Sequence, residues 1–160
     1  MGHFVDKDAL LVVLLALQIV LREKKNLGEI YRDLRERFGY FWPERVPVEI
    51  PRSLPREVRS RRLNEALGRV QIGTAVDVQS GALGITGLGV VKVEGPSEVK
   101  GYRFTLEGGH TIMLRPSGTE PKVRVYVEAV GKENAALASA LTRAAHKLVL
   151  QAFPESGSAG

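Results

Sequence analysis

The chain has 160 residues, of which 44% are hydrophobic and 26% charged, a composition typical of globular proteins that excludes the disordered and collagen-like classes. It contains no cysteine, which excludes a disulfide scaffold and a thiolate metal site. The net charge of +5 lies mainly in residues 1–75, which hold 14 Lys and Arg against 10 Asp and Glu, and this local excess favours an anionic ligand or surface.

An apolar segment near the start, residues 9–21, is interrupted only by Gln18. As a helix, these 13 residues cover about 20 Å. A membrane-spanning helix needs about 20 apolar residues, so this segment is too short to cross a membrane. Asp6 and Asp8 stand where a secretory signal carries positive charge. We therefore predict a helix buried on most sides inside a layered domain, with Asp8 as its N-cap, and we expect a cytoplasmic protein with no membrane partner.

A second helix is predicted over residues 27–38, with apolar residues at helical spacing and Gly39 as its C-cap. Two helices with no strand to cover form an incomplete unit, so residues 1–41 are expected to be the end of an α/β domain that starts upstream. The alternative is that another part of this chain covers them. Residues 42–55 contain four prolines and are predicted to be a linker and hinge, with a short edge strand near residues 46–50.

The rest of the chain is predicted to form an α+β domain over residues 56–153, followed by a flexible tail at 154–160. An Arg-rich amphipathic helix over residues 56–69 opens it, and the glycine-rich run at 81–89 indicates a mobile loop. Three alternating strands and a closing helix follow, with Gly108–Gly109 as a hairpin turn, at residues 102–106, 110–114, 122–130 and 132–151. The predicted fold class is an antiparallel sheet with flanking helices, preceded by helices from the end of an α/β domain.

Residues 115–122, Arg-Pro-Ser-Gly-Thr-Glu-Pro-Lys, lie between two predicted strands and have the features of a phosphate-binding loop. The two prolines restrict the ends of the loop, so less entropy is lost on binding. Gly118 lets the backbone approach an anion, and Ser117 and Thr119 supply hydroxyl donors. Arg115 presents a planar fork of donors that fits phosphate oxygens, and Lys122 adds positive charge.

The same residues also suit a tight turn between two strands. In that interpretation Ser117 and Thr119 hydrogen-bond the backbone and Arg115 pairs with Glu120. Composition alone leaves both interpretations open.

The eight-residue motif, followed by the alternating strand Arg-Val-Tyr-Val-Glu-Ala, resembles the C-terminal domain of the α-D-phosphohexomutase family, which includes phosphoglucomutases, phosphomannomutases and phosphoglucosamine mutases. Residues 2–17 resemble the end of that family's third domain, and Phe-Gly-Tyr-Phe at 38–41 resembles the junction between the third and fourth domains. The resemblance implies a TATA-binding-protein-like α+β fold for the C-terminal domain.

Enzymes of this family move a phosphate between C1 and C6 of a hexose, and their fourth domain holds the phosphate that is not transferred. The resemblance implies that four residues of this chain are phosphate ligands: Arg115, Ser117, Gly118 and Thr119. Lys7 falls near a lysine proposed for proton transfer or phosphate contact in some members, and His3 lies beside it in a similar Gly-His context. The implied partners are a hexose phosphate and the remaining mutase domains.

The chain lacks the phosphoserine loop, the aspartate-rich metal loop and the Glu-x-Ser-Gly sugar loop of the family, and Ala9 replaces the glycine usual after Lys-Asp. We therefore expect no metal or cofactor in this chain, whereas the full-length enzyme is expected to use Mg²⁺ and a hexose 1,6-bisphosphate activator. Positioning and charge neutralisation carry most of phosphoryl-transfer catalysis. The prediction is a phosphate-holding C-terminal part of a mutase that is inactive alone.

Two other functions are compatible with the sequence. One is a non-catalytic anion-binding or protein-interaction module that kept the fold. The other is a basic nucleic-acid-binding domain, suggested by five arginines between residues 52 and 62. No aromatic residues interleave with those arginines, so a solvated helix face is preferred and nucleic acid is not an expected partner. The three histidines lack metal-ligand spacing.

Overall fold

The computed structural model describes residues 9–80, 85–96 and 100–154. The chain divides into two compact units, residues 1–40 and 41–160. The predicted tail beyond Pro154, the predicted N-cap Asp8 and the first four residues of the glycine-rich run lie outside the described residues. No helix in the described ranges is long and apolar enough to cross a membrane.

The first unit contains two helices, α1 (Ala9–Glu23) and α2 (Leu27–Phe38). Helix α2 begins with a capping box, in which the Asn26 side chain accepts a hydrogen bond from the Glu29 N–H and the Glu29 carboxylate accepts one from the Asn26 N–H. It ends at Gly39, whose φ of 106° and whose N–H, donated to the Arg35 carbonyl over 2.8 Å, terminate the helix as predicted.

The prediction that α1 is buried on most sides is wrong for the described chain. No residue of α1 is buried, and eight of its ten large apolar side chains are between 45% and 77% exposed, whereas Leu11 and Val20 are half-buried. The physical reason is that α2 is the one described element of the unit that could cover it. An apolar helix needs more cover than one neighbouring helix supplies.

In its described residues, the second unit is a six-stranded sheet with two α-helices, and every neighbouring pair of strands is antiparallel. The strand order is β1-β6-β5-β4-β3-β2. The strands are β1 (Phe41–Glu49), β2 (Ala75–Ser80), β3 (Ile85–Glu94), β4 (Tyr102–Leu106), β5 (Thr111–Pro116) and β6 (Lys122–Val130). The helices are α3 (Arg56–Leu67) and α4 (Ala135–Gln151).

The core lies between one face of this sheet and the two helices. Along β6 the buried side chains alternate with half-buried ones, and the buried set is Val123, Val125, Val127 and Ala129. Leu63 and Leu67 of α3 and Leu137 and Leu141 of α4 are buried in the same cluster. The opposite face of the sheet is less buried, because the helices cover one face only. The unit therefore has the predicted α+β architecture, in which helices pack on one face of an antiparallel sheet.

The predicted strands at 102–106, 110–114 and 122–130 are confirmed as β4, β5 and β6. A 3-10 turn, Glu107–Gly109, connects the first two, and Gly108 and Gly109 both have positive φ, as the predicted glycine turn requires. The final helix begins at Ala135 rather than at residue 132, because residues 132–134 form a turn in which the Asn134 N–H donates to the Gly131 carbonyl over 3.3 Å.

The segment after the first unit contains more strand than predicted. Strand β1 pairs with β6 over nine residues, from Phe41 opposite Val130 to Glu49 opposite Lys122. Strand β1 is an edge strand, so only every second N–H group along it faces the neighbouring strand. Pro43 and Pro47 are four positions apart, so their nitrogens lie on the same side of the strand. An edge strand tolerates prolines in this arrangement. The predicted linker and hinge is therefore wrong for residues 42–49, which belong to β1, and for residues 50–55 it stays a prediction.

The predicted mobile loop at 81–89 is wrong for residues 85–89, which belong to β3. Gly89 lies opposite Ala75 in β2, and its N–H donates to the Glu107 carboxylate over 3.0 Å. A Cβ on Gly89 would lie 3.1 Å from that carboxylate. The glycine here permits close approach within a sheet, which a sequence pattern alone does not distinguish from a flexible loop.

Candidate functional site

A strand–turn–strand connection holds the motif at one end of the sheet. Arg115 and Pro116 end β5, Lys122 begins β6, and residues 117–121 form the turn. Arg115 lies opposite Arg124 in the ladder, and Pro116 lies opposite Val123. Strands β5 and β6 are interior strands, so both ends of the turn are held by neighbours on either side.

Hydrogen bonds inside the turn restrict its backbone. The Ser117 N–H donates to the Lys122 carbonyl over 2.9 Å, and the Lys122 N–H donates to the Glu120 carbonyl over 2.8 Å. The Glu120 N–H donates to the Ser117 Oγ over 3.3 Å. The Pro121 carbonyl accepts the Ile50 N–H over 3.0 Å, which ties the turn to the chain after β1. The loop is therefore tightly held before any ligand arrives.

The carboxylate of the turn, Glu120, is neutralised by neighbouring cations, whereas Arg115 is not paired with it. Glu120 accepts a hydrogen bond from Lys122 Nζ over 2.8 Å and lies 3.8 Å from the Arg124 guanidinium. The pKa of Glu120 is lowered, chiefly by the Lys122 hydrogen bond, with smaller contributions from the charges of Arg124 and Arg52. The pairing of Arg115 with Glu120 that a purely structural turn suggests is not among the contacts of the described residues.

Arg115 is exposed, and within the described ranges no carboxylate lies at ion-pair distance from its guanidinium. Its neighbour Leu114 is buried against the helices, so by strand alternation Arg115 lies on the opposite face of the sheet. Gly118 and Thr119 at the tip of the turn are exposed. A Cβ on Gly118 would meet a single atom within 4 Å, Nη2 of Arg56 at 4.0 Å, so there is room beside its backbone.

The structure also brings to this loop three arginines that were predicted to lie on a solvated helix face. Arg56 begins α3 and lies beside Gly118. Arg52 and Arg59 line a depression of about 430 Å³ together with Thr119, Glu120, Pro121 and Glu49. The signal available in the sequence was the excess of arginine between residues 52 and 62. Nothing local indicated which loop they face.

Lys7 and His3 lie outside the described residues, so the structure does not place them relative to the loop. Lys7 therefore stays a prediction. The part of the chain that the structure describes contains no group of three or more His, Asp or Glu side chains arranged to hold a metal ion.

His110 is buried, with 6% of its surface exposed, but it belongs to the opposite end of β5. Its Nδ1 accepts the Val130 N–H over 3.0 Å, which links the start of β5 to the end of β6. Burial lowers the pKa of His110 below its ordinary value. The contacts indicate a structural histidine, not a member of the loop site.

A wider depression of about 710 Å³ lies on the open face of the sheet, around Arg45, Arg103, Met113 and Tyr126. Its cations have partners: Arg103 lies 3.9 Å from the Glu94 carboxylate, and Arg45 lies over the Tyr126 ring. The loop end of the sheet, where Arg115 and Arg56 have no ion-pair partner among the described residues, is therefore the stronger candidate for an anion site.

The fold and the site together define an α+β domain that carries a cationic turn with an exposed glycine at one end of its sheet. Residues 57–144, more than half of the chain, match the family model of the phosphoglucomutase/phosphomannomutase C-terminal domain. The chain belongs to this family, which confirms the resemblance stated from the motif.

Individual relatives match over shorter segments. The chain is 50% identical over 38 residues to a phosphomannomutase of Sinorhizobium fredii, which covers 24% of this chain and 8% of the relative. It is 52% identical over 40 residues to a phosphoglucosamine mutase of Methanocaldococcus jannaschii (25% of this chain, 9% of the relative) and 55% identical over 31 residues to a phosphopentomutase of Thermococcus kodakarensis (19% and 7%). The matched segments thus span less than a tenth of each of these relatives.

Proposed function

We propose that this chain binds the phosphate group of a hexose phosphate through residues 115–119, as the part of a mutase that holds the phosphate not being transferred. The observation that carries the proposal is the pairing pattern of the turn. Its carboxylate, Glu120, is neutralised by Lys122 and Arg124, whereas Arg115 has no carboxylate partner in the described ranges and the Gly118 backbone is exposed.

The residues of the turn have complementary tasks in this proposal. The Arg115 guanidinium donates two parallel hydrogen bonds to phosphate oxygens. The Gly118 and Thr119 N–H groups and the Thr119 hydroxyl are further donors at the exposed tip. The Ser117 Oγ accepts the Glu120 N–H, which leaves its own hydroxyl proton to donate to the ligand. Because hydrogen bonds already hold the turn, little ordering entropy is lost on binding.

Catalysis is proposed to need groups that this sequence lacks. A phosphoryl donor and charge neutralisation at the transferred group carry most of such a reaction, and the chain has neither a phosphoserine loop nor an aspartate-rich loop. We therefore propose that the chain alone is inactive and acts with the remaining domains of a cytoplasmic mutase. Movement of the domain as a whole would bring the turn onto the substrate.

The test is a titration of the 160-residue chain with glucose 1-phosphate, followed by NMR amide shifts. We expect shifts clustered on residues 115–122 and a dissociation constant on the order of millimolar, because one anchored phosphate must offset the entropy of association. Arg115→Ala should abolish the shifts.

Arg103→Ala is the matched control, since Arg103 lies on β4 and has its own partners in Glu94 and Met113. It should bind as the unchanged chain does. Equal affinity of Arg115→Ala and the unchanged chain would refute the proposal.

A further inference from the structure

The turn has a second cationic side, formed by Arg52, Arg56 and Arg59. Arg56 and Arg59 are three residues apart in α3, so they lie on one side of the helix. Arg56 Nη2 lies 4.0 Å from the position of a Cβ on Gly118, and Arg52 and Arg59 line the depression that also contains Thr119. Arg115 leaves the sheet on the face away from the helices, whereas Arg52, Arg56 and Arg59 approach the turn from the side of α3.

The chain balances only part of the positive charge on this side. Within the described ranges none of the three arginines has an ion-pair partner, and Arg59 donates only to the Pro51 carbonyl, over 3.5 Å. The depression contains two carboxylates, Glu49 and Glu120, and Glu120 is already bonded to Lys122. Three cations close together at one loop repel one another, and a bound anion relieves that repulsion.

We propose that Arg56, with Arg52 and Arg59 beside it, forms a second wall of the phosphate site and contacts a phosphate bound at Gly118 from the side of α3. This inference rests on the proposed function, because it takes the turn as the place where phosphate binds. The two walls together make the site selective for a dianionic phosphate monoester over singly charged anions, since attraction to several guanidinium groups grows with the charge of the ligand.

The proposal predicts a pH dependence that comes from the ligand. A phosphate monoester gains its second negative charge with a pKa of about 6, whereas arginine keeps its charge throughout. The other charged groups facing the ligand are Glu49, Glu120, Lys122 and Arg124. The lowered pKa of Glu120 keeps that carboxylate ionised from pH 5.0 to pH 7.5. Affinity for glucose 1-phosphate should therefore rise over this range.

The experiment compares Arg56→Gln with Arg62→Gln and Arg115→Ala in the full 160-residue chain, titrated with glucose 1-phosphate at pH 5.0 and 7.5. Arg62 belongs to the same helix but lines a different depression, with Leu54 and Phe153, so its variant loses the same charge elsewhere. We expect Arg56→Gln to weaken binding at pH 7.5 by about threefold to tenfold and to reduce the rise of affinity with pH. Arg62→Gln should do neither. The amide spectrum of each variant checks that it folds.

The outcomes separate this inference from the proposed function. If Arg115→Ala abolishes binding while Arg56→Gln and Arg62→Gln are equal, the second wall is refuted and the proposed function stands. If Arg56→Gln weakens binding and Arg115→Ala does not, the arginines of α3 bind the anion and the role given to Arg115 fails. Equal weakening by Arg56→Gln and Arg62→Gln would refute the second wall by showing an effect of net charge alone.

Discussion

Gly101 shows how a single position determines the approach of two strands. A Cβ there would lie 2.4 Å from the Leu114 carbonyl oxygen and 3.1 Å from the Arg115 Cα. The backbone before β4 therefore runs directly against the end of β5, next to the residue proposed to bind phosphate. No side chain fits without moving Leu114 and Arg115, so this glycine supports the position of the candidate site through the close approach of two backbones.

At the same scale, His110 is expected to make stability depend on pH. Its folded-state pKa is lowered by burial, so below its ordinary pKa of about 6.5 the unfolded chain binds more protons than the folded chain. The free energy of unfolding should consequently fall as the pH drops from 7 to 5, and His110 should contribute no pH dependence above that range. Urea denaturation at several pH values measures this.

The matched variants are His110→Asn, which keeps an acceptor for the Val130 N–H without a titrating group, and His146→Asn on the exposed side of α4. The first should lose less stability than the unchanged chain between pH 7 and 5, and the second should behave as the unchanged chain. Identical pH dependence in all three proteins would contradict the assignment.

Among the elements, strand β1 is held in place by both its neighbouring strand β6 and helix α4. Its ladder with β6 supplies the backbone hydrogen bonds. On the helix side, the Glu44 carboxylate accepts hydrogen bonds from Ser139 Oγ and Thr142 Oγ1, each over 2.6 Å. Trp42 Nε1 donates to the Gly131 carbonyl over 2.8 Å. These contacts attach a proline-containing edge strand to α4, and they explain how a sequence with weak strand signals becomes a strand.

We predict that Glu44→Ala lowers the free energy of unfolding by about 1–3 kcal/mol, since hydrogen bonds to a charged group contribute more than neutral ones. Thr142→Val removes one donor and keeps the side-chain shape. A double-mutant cycle with the two variants should give a coupling of about 1 kcal/mol.

Glu128→Ala is the control for the lost carboxylate, because Glu128 lies on the neighbouring strand β6 opposite Pro43. Glu128→Ala should lower the free energy of unfolding by less than Glu44→Ala does. Strict additivity of Glu44→Ala and Thr142→Val in urea denaturation would show that the contact does not stabilise β1.

For the whole molecule, the proposal that catalysis needs the remaining mutase domains predicts no catalysis by this chain alone. Incubation with glucose 1-phosphate or mannose 1-phosphate, Mg²⁺ and glucose 1,6-bisphosphate should yield no 6-phosphate, because the sequence contains no phosphoserine loop to donate a phosphate. Phosphorus NMR follows the conversion, and a full-length phosphomannomutase is the positive control. Turnover by the purified chain would overturn the proposed inactivity while leaving the family assignment intact.

The sequence by itself determined the features that arise from neighbouring residues. Strict alternation predicted β4, β5 and β6, the Gly108–Gly109 pair predicted the turn, and the eight-residue motif predicted the family. These are local signals, because strand alternation and turn chemistry depend on residues a few positions apart.

Only the tertiary structure decided which distant residues meet. The pairing of β1 with β6 and the hydrogen bond from Ile50 to Pro121 bring residues 50–59 to the turn at 117–121. Arg56 thus lies beside Gly118 although more than 60 positions separate them in the chain. Such proximity follows from sheet register and helix packing, which are properties of the assembled core and not of any short segment. The exposure of α1 has the same origin, since burial depends on what packs against a helix as well as on its own residues.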